Sequence, residues 1–166
     1  MKEIPAVSIV LPCFNAAATL GETLCSLNRQ TLTNFELIAV DDGSTDGTLS
    51  ILESWKDKEN RLRIIKQNHS GVIAAANMGI NASCSAYIAR MDADDLAHPQ
   101  RLELQAAYLD DNPDVAVVSS LVEVFAENGP REGYRTYVQW LNSLITDEEI
   151  DGRYLWRVHL LTQVQW

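Results

Sequence analysis

The sequence predicts an α/β fold, a mostly parallel sheet covered by helices on both faces. Two observations predict it. Short β-branched runs alternate with segments of helical periodicity through most of the chain, the pattern of strands joined by helical crossovers. The densest acidic clusters fall in polar turns just past two of those runs, where the loops of such a sheet converge.

In chain order, residues 6–11 form a first strand that Pro12 stops. Leu20, Leu24 and Leu27 follow at i, i+4 and i+7, one stripe of an amphipathic helix. Residues 35–40 are a second strand. The turn Asp41-Asp-Gly-Ser-Thr-Asp-Gly47 ends it, with Ser44 or Asp46 placed to cap the next helix. That helix covers 48–58, with Ile51 and Trp55 on one face and Trp55 in the core. Residues 62–65 are a third strand. After the Asn68-His-Ser-Gly71 turn, Ile73, Ala76, Asn77 and Ile80 mark another helix, Asn77 reading as a buried hydrogen-bonding residue. Residues 86–89 are a fourth strand, leading to Asp92-Ala-Asp-Asp95. Pro99 suits the first turn of a helix whose buried stripe is Leu102, Ala106 and Leu109. The β-branched run 115–125 reads as a fifth strand. Beyond residue 127 the pattern weakens: Asn128-Gly-Pro130 is a turn, 134–144 a helix, and 153–166 a segment rich in Leu, Val and Trp.

The 166 residues suffice for one domain with a buried core. Hydrophobic residues at 46% and charged ones at 22% are ordinary for a soluble globular protein. With 23 acidic against 13 basic residues the net charge is -10. That excludes a phosphate-tracking nucleic-acid binder, which needs a basic stripe. It also requires any anionic substrate to meet a local positive group or a cation. Cys13, Cys25 and Cys84 form no C-x-x-C pair, so neither a disulfide framework nor a zinc site is expected, and a reducing cytoplasm fits. The apolar run at 7–11 is too short for a signal peptide, and no stretch reaches the ~20 apolar residues that span a bilayer.

The loops after strands one, two and four hold the candidate chemistry, all on one edge of the sheet. Asp92, Asp94 and Asp95 repel one another unless a cation or donor compensates. Oxygen ligands on so short a loop suit Mg²⁺ or Mn²⁺ shared with substrate phosphates, a Lewis acid for a leaving diphosphate. The competing reading is a solvated acidic turn at a helix start. Asp41 and Asp42 close strand two, where a carboxylate can accept from a base N–H or a ribose hydroxyl; turn and cap chemistry is the alternative. Asn15 is either a turn residue or a ligand. Gly71 supplies a backbone conformation or a close approach that a side chain would block. Cys13, His69, His98 and His159 are scattered and assemble no nucleophile or zinc site.

Four segments in register resemble glycosyltransferase family 2 over residues 6–125. They are Val7-Ser-Ile-Val-Leu-Pro-Cys-Phe-Asn15, the 35–48 run through Asp41-Asp-Gly-Ser, Asn68-His-Ser-Gly through Gly79, and Met91-Asp-Ala-Asp-Asp95 with His98-Pro-Gln-Arg-Leu102. The resemblance implies a GT-A, Rossmann-like fold and a nucleotide-diphosphate sugar donor, most often UDP-linked. By position, it puts Pro12 and Asn15 in the loop beside the base and Asp42 on the base, with Asp41 next to it. It puts Asp92 and Asp94 on ribose and metal, Asp94 as the direct metal ligand. It further implies a divalent cation (Mg or Mn), transfer with inversion to a glycan, lipid or protein acceptor, and a role in cell-surface polysaccharide or glycoconjugate synthesis. The expected division is a nucleotide-sugar-binding domain over 1–126 and a poorly matched segment over 127–166, the start of a truncated acceptor-binding part. The family's second half supplies a general base that deprotonates the acceptor hydroxyl. The late carboxylates Glu148, Glu149 and Asp151 do not resemble it, so no catalytic residue is assigned. A membrane-bound acceptor would bring the domain to the inner membrane face.

Two other readings compete. A non-catalytic nucleotide-binding or interaction domain could pair as a homo-oligomer through its tail, where Tyr154, Trp156 and Trp166 cluster. A phospho-receiver domain also gathers aspartates at strand ends, but needs its acidic pair after the first strand.

Overall fold

The computed structural model describes residues 4–124, 129, 131–143 and, for the backbone, 161–163. The elements are β1 Val7–Cys13, α1 Leu20–Asn28, β2 Phe35–Asp41, α2 Thr48–Lys56, β3 Leu62–Lys66, α3 Val72–Ala82, β4 Tyr87–Arg90, α4 Arg101–Asp111, β5 Val117–Val118, α5 Glu132–Leu141 and β6 Leu161–Gln163. The sheet order is β3-β2-β1-β4-β6-β5. β1 runs parallel to β2 and β4, and β2 to β3, while β6 is antiparallel to both β4 and β5. The expected mostly parallel α/β sheet is thus present, and the carboxyl ends of its first four strands open on one edge.

Helices cover both faces. On one, Val7, Ile9 and Leu11 of β1 and Leu37 and Ala39 of β2 pack with Leu20, Leu24 and Leu27 of α1, Leu52 of α2, and Leu102 and Leu109 of α4. On the other, Ile38 and Val40 pack with Ala75 of α3. The helical stripes of α1 and α4 therefore lie as expected, and the strand residues alternate between the two faces. Trp55 is partly buried against the first cluster.

The structure corrects four expectations. Pro12 does not stop the first strand: it lies inside β1, in register with Val40. The Val10 carbonyl accepts from Met91 N, 3.0 Å away, so the same side of Pro12 points where β4 has already ended. Its missing N–H costs no ladder bond there. The fifth strand is only two residues long rather than spanning 115–125, because β6 offers it a partner at Val117 and Val118 alone. The stripe expected on α3 is reversed. Ala75 and Gly79 face the sheet, whereas Ile73 and Ile80 are exposed, and so is Asn77. Lastly, the 153–166 segment contains a strand, β6, that its composition did not announce.

Small residues on α3 let the helix lie close to the strands. A Cβ at Gly79 would overlap the Val10 side chain and stand 3.3 Å from Val40 Cγ2. Gly79→Ala would favour helix by up to ~1 kcal/mol, but overlap in a packed core costs about 1–3 kcal/mol. The substitution is expected to lower the thermal unfolding midpoint; a raised midpoint would show that α3 packs with slack.

The chain divides into two units, Met1–Val118 with His159–Trp166, and Ser119–Val158. In the second, the Asn142 side chain bridges Val122, accepting from its N–H at 2.9 Å and donating to its carbonyl at 2.8 Å. No helix among the described residues is long and apolar enough to cross a membrane. Glu148, Glu149, Asp151, Tyr154, Trp156 and Trp166 lie outside the described residues.

Candidate functional site

Four loops meet at the carboxyl edge of the parallel strands, one after each of β1 to β4. Sequence reasoning placed the candidate chemistry on three and took Gly71 from the fourth; the rest of the loop after β3, residues 67–70, is the addition. An open cleft of about 450 Å³ lies there, lined by Pro12, Phe14, Asn15, Thr19, Arg90, Asp92 and Asp94 among others.

The β1 and β2 loops are stitched together. Asn15 has a left-handed backbone, φ 49°, which Asn tolerates better than most residues. Its Oδ1 accepts from Thr45 N at 2.8 Å, and its own N–H donates to Ser44 Oγ at 3.1 Å. The Asn15 side-chain oxygen is thus spent on the turn. Asp46, just before the Gly47 N-cap of α2, accepts from Thr48 N at 2.9 Å and from Ala17 N at 3.1 Å, so it ties the first turn of α2 to the β1 loop.

Asp41 and Asp42 are both buried, at 4% and 2% exposure, and neither lines the cleft. Asp41 Oδ1 has no hydrogen-bond partner. Together with burial, which is the larger effect, Asp41 pushes the nearby Cys13 thiol up to about 12, so Cys13 is no nucleophile. Asp42 is the anchor of the 67–71 loop. Its Oδ1 accepts from Gln67 Nε2 and from Ser70 N at 2.8 Å; its Oδ2 accepts from Gly71 N at 2.9 Å. His69 Nδ1 lies 2.9 Å from the same Oδ2. Burial alone would raise the Asp42 pKa, but these hydrogen bonds and His69 outweigh it and hold the carboxyl below its ordinary value. Gly71 has φ 90° and open space where a Cβ would be, so it supplies conformation rather than close approach. Gly43, at φ 71°, supplies the close approach: its Cβ would stand 2.8 Å from His69 N. The His69 ring stacks on Phe14, centroids 3.9 Å apart and planes at 21°.

The acidic loop after β4 is held from both sides. Thr19, at the N-cap of α1, and Thr23, one turn on, both donate to the Ala93 carbonyl, at 2.9 and 3.0 Å. Behind the loop Arg101 is 6% exposed and donates to the Arg90 carbonyl at 3.0 Å. Burial pulls its pKa down to about 10 against the upward pull of Asp95 and Asp92, so it stays a cation at neutral pH. In front, Arg90 Nη2 pairs with Asp92 Oδ1 at 3.1 Å. Asp94 is exposed and lines the cleft beside Asp92. Two arginines therefore offset the carboxylate repulsion that the sequence implied. Neither was singled out, although Arg101 falls within the quoted His98-Pro-Gln-Arg-Leu102 segment.

Among the described residues no three His, Cys, Asp or Glu side chains converge into a metal cage. Asp92 and Asp94 both line the cleft, and two carboxylates suit an ion that completes its shell with water and phosphate oxygens. A Mg²⁺ or Mn²⁺ ion shared with a diphosphate fits that set.

Comparison with known proteins agrees with this architecture. The sequence model described as Glycosyl transferase family 2 matches residues 8–164. An uncharacterized glycosyltransferase of Haemophilus influenzae is 34% identical over 154 residues, covering 89% of this chain and 47% of its own. The putative glycosyltransferase EpsE of Bacillus subtilis is 38% identical over 133 residues, covering 79% and 48%. This chain thus spans about half the length of these curated relatives. Among solved structures, S. aureus TarS 1-349 in complex with UDP superposes with a TM-score of 0.66 at 28% identity, covering 76% of this chain and 38% of that one. The mannosyltransferase PcManGT from Pyrobaculum calidifontis, in complex with GDP-Man and Mn²⁺, gives 0.67 at 25%, covering 73% and 36%. The fold is the GT-A arrangement that the motifs implied, and the chain belongs to glycosyl transferase family 2.

Proposed function

We propose that this chain carries the donor-binding part of an inverting glycosyltransferase that uses a nucleotide-diphosphate sugar, UDP-linked, and a divalent cation. The observation that carries the reading is the cleft, which brings Asp92, Asp94 and Arg90 to one rim and Pro12, Phe14 and Asn15 to another. Asp94 would hold a Mg²⁺ or Mn²⁺ ion, with Asp92 shared between that ion and the ribose. The ion would neutralise the diphosphate as it leaves. Arg90 adds the local positive charge that a chain of net charge -10 must offer an anion. Asp42 reads the base edge, backed by Asp41, while Pro12, Asn15 and Gly71 shape the loops around it. Solved relatives holding UDP or GDP-Man support a nucleotide ligand of this class. The acceptor is a glycan, lipid or protein hydroxyl, and a cytoplasmic site suits three free cysteines.

Calorimetric titration of the chain with UDP tests this. Binding that requires Mn²⁺ or Mg²⁺ is expected, because the half-complete donor set gives the ion little hold before the diphosphate arrives. Absence of UDP binding in either condition would overturn the reading.

A further inference from the structure

Asp42 has no room for another donor. An ionised carboxylate offers about four lone-pair positions. Gln67 Nε2 and Ser70 N take those of Oδ1, Gly71 N takes one of Oδ2, and the His69 ring, its Nδ1 2.9 Å from Oδ2, covers the approach to the other. A nucleobase N–H can therefore reach Asp42 only if one of the four leaves. The Ser70 and Gly71 donors are main chain and cannot leave without moving the backbone that leads into α3. Gln67 is half-buried. The His69 side chain is 55% exposed and can swing away by a rotamer change alone.

What His69 does in that place resembles what a base would do. Its Nδ1 faces two acceptors, Asp42 Oδ2 at 2.9 Å and the Asp42 carbonyl at 3.1 Å, so Nδ1 carries the proton. The ring is flat against Phe14, itself 44% exposed and part of the cleft wall. A planar ring stacked on Phe14 with a ring nitrogen beside a buried carboxylate is also the placement open to uracil through N3–H, or guanine through N1–H. Adenine and cytosine have no such ring N–H at neutral pH.

We infer that the His69 imidazole holds the nucleobase position, and that a uracil or guanine base binds by displacing it from both Phe14 and Asp42. This rests on the donor-site reading above and adds a competitor that sets the affinity and selects the base. Displacement exchanges one N–H donor on Asp42 for another and one stacked ring for another. The buried carboxylate is never left short of a partner, which limits the penalty of opening the site.

The test uses the whole chain and UDP with Mg²⁺, which leaves the histidine ring signals sharp in NMR. In the free protein the His69 ring protons are expected to be displaced by the Phe14 ring current, and UDP should return them toward the values of an exposed histidine. His69→Ala should bind UDP more tightly, on the order of three- to tenfold, by removing a contact of ordinary hydrogen-bond strength. Its affinity for inorganic pyrophosphate with Mg²⁺ should not change, because only the base competes with His69. An unaltered unfolding midpoint would show that the variant is folded. UDP binding that leaves the His69 signals in place, or that is equal or weaker in His69→Ala, overturns the inference and leaves the donor-site reading standing. If neither protein binds UDP, the donor-site reading fails and the inference falls with it.

Discussion

Replacing Asp94 by Ala is expected to lower UDP affinity in the presence of Mn²⁺ about 100-fold, roughly 2.7 kcal/mol. The metal-free affinity should not fall, and could only rise, since a negative charge leaves an already anionic surface. The size of the effect follows from the small donor set. With Asp94 gone, Asp92 is the remaining carboxylate on the cleft rim, and its Oδ1 is already paired with Arg90. The ion then depends almost wholly on the diphosphate and water. Asp94 is exposed, so the folded chain should lose little; surface substitutions usually fall within about 0.5 kcal/mol. Calorimetry with and without Mn²⁺, beside a thermal unfolding curve, separates the two effects. Metal dependence that persists unchanged in the variant would remove Asp94 from the site.

Asp42→Ala should act in the opposite way, on stability first. It takes the acceptor from the Ser70 and Gly71 amides and from Gln67 at a position only 2% exposed. Leaving donors to a buried charge unpaired costs about 3 kcal/mol, and the 67–71 loop should lose its shape. Nucleotide binding would go with it. The same carboxylate makes stability depend on pH. Its folded pKa lies below the ordinary 3.8, so the unfolded chain takes up the proton first as pH falls. Its contribution is full above about pH 5 and is lost as pH drops through 3.8 toward the folded value. Denaturation monitored between pH 7 and pH 3 should therefore show a steeper loss in the native chain than in Asp42→Asn, which has no proton to gain. Parallel curves would mean that other carboxylates dominate acid unfolding.

Legibility followed the range of the interactions concerned. α1 and α4 were readable because their buried residues are large and sit at helical spacing, so pattern and packing coincide. α3 was misread because its contact face is made of Ala75 and Gly79, which a search for apolar stripes passes over in favour of Ile73 and Ile80. The fifth strand was overextended because β-branched residues mark a strand only where a partner exists, and the partner lies more than forty residues further on. The acidic clusters were visible at once, yet what holds them was not. Arg101 reaches the β4 loop from the next helix, Thr19 and Thr23 reach it from α1, and the donors to Asp42 come from a loop beyond β3. Asp46 was legible as a residue of the helix start because its main acceptor role is two residues away, although the N-cap position itself is Gly47.

The placement of β6 orders events in time. As the chain leaves the ribosome, β1 to β4 can assemble as soon as residue 90 is out, and β5 follows within thirty residues, but β5 pairs only with β6, which arrives at Leu161–Gln163. During that interval the strand that leads into the acidic loop is a bare edge, its outer N–H and carbonyl groups facing solvent. Such an edge can recruit a strand from a neighbouring nascent chain. The slow, non-local closure by β6 then competes with that pairing.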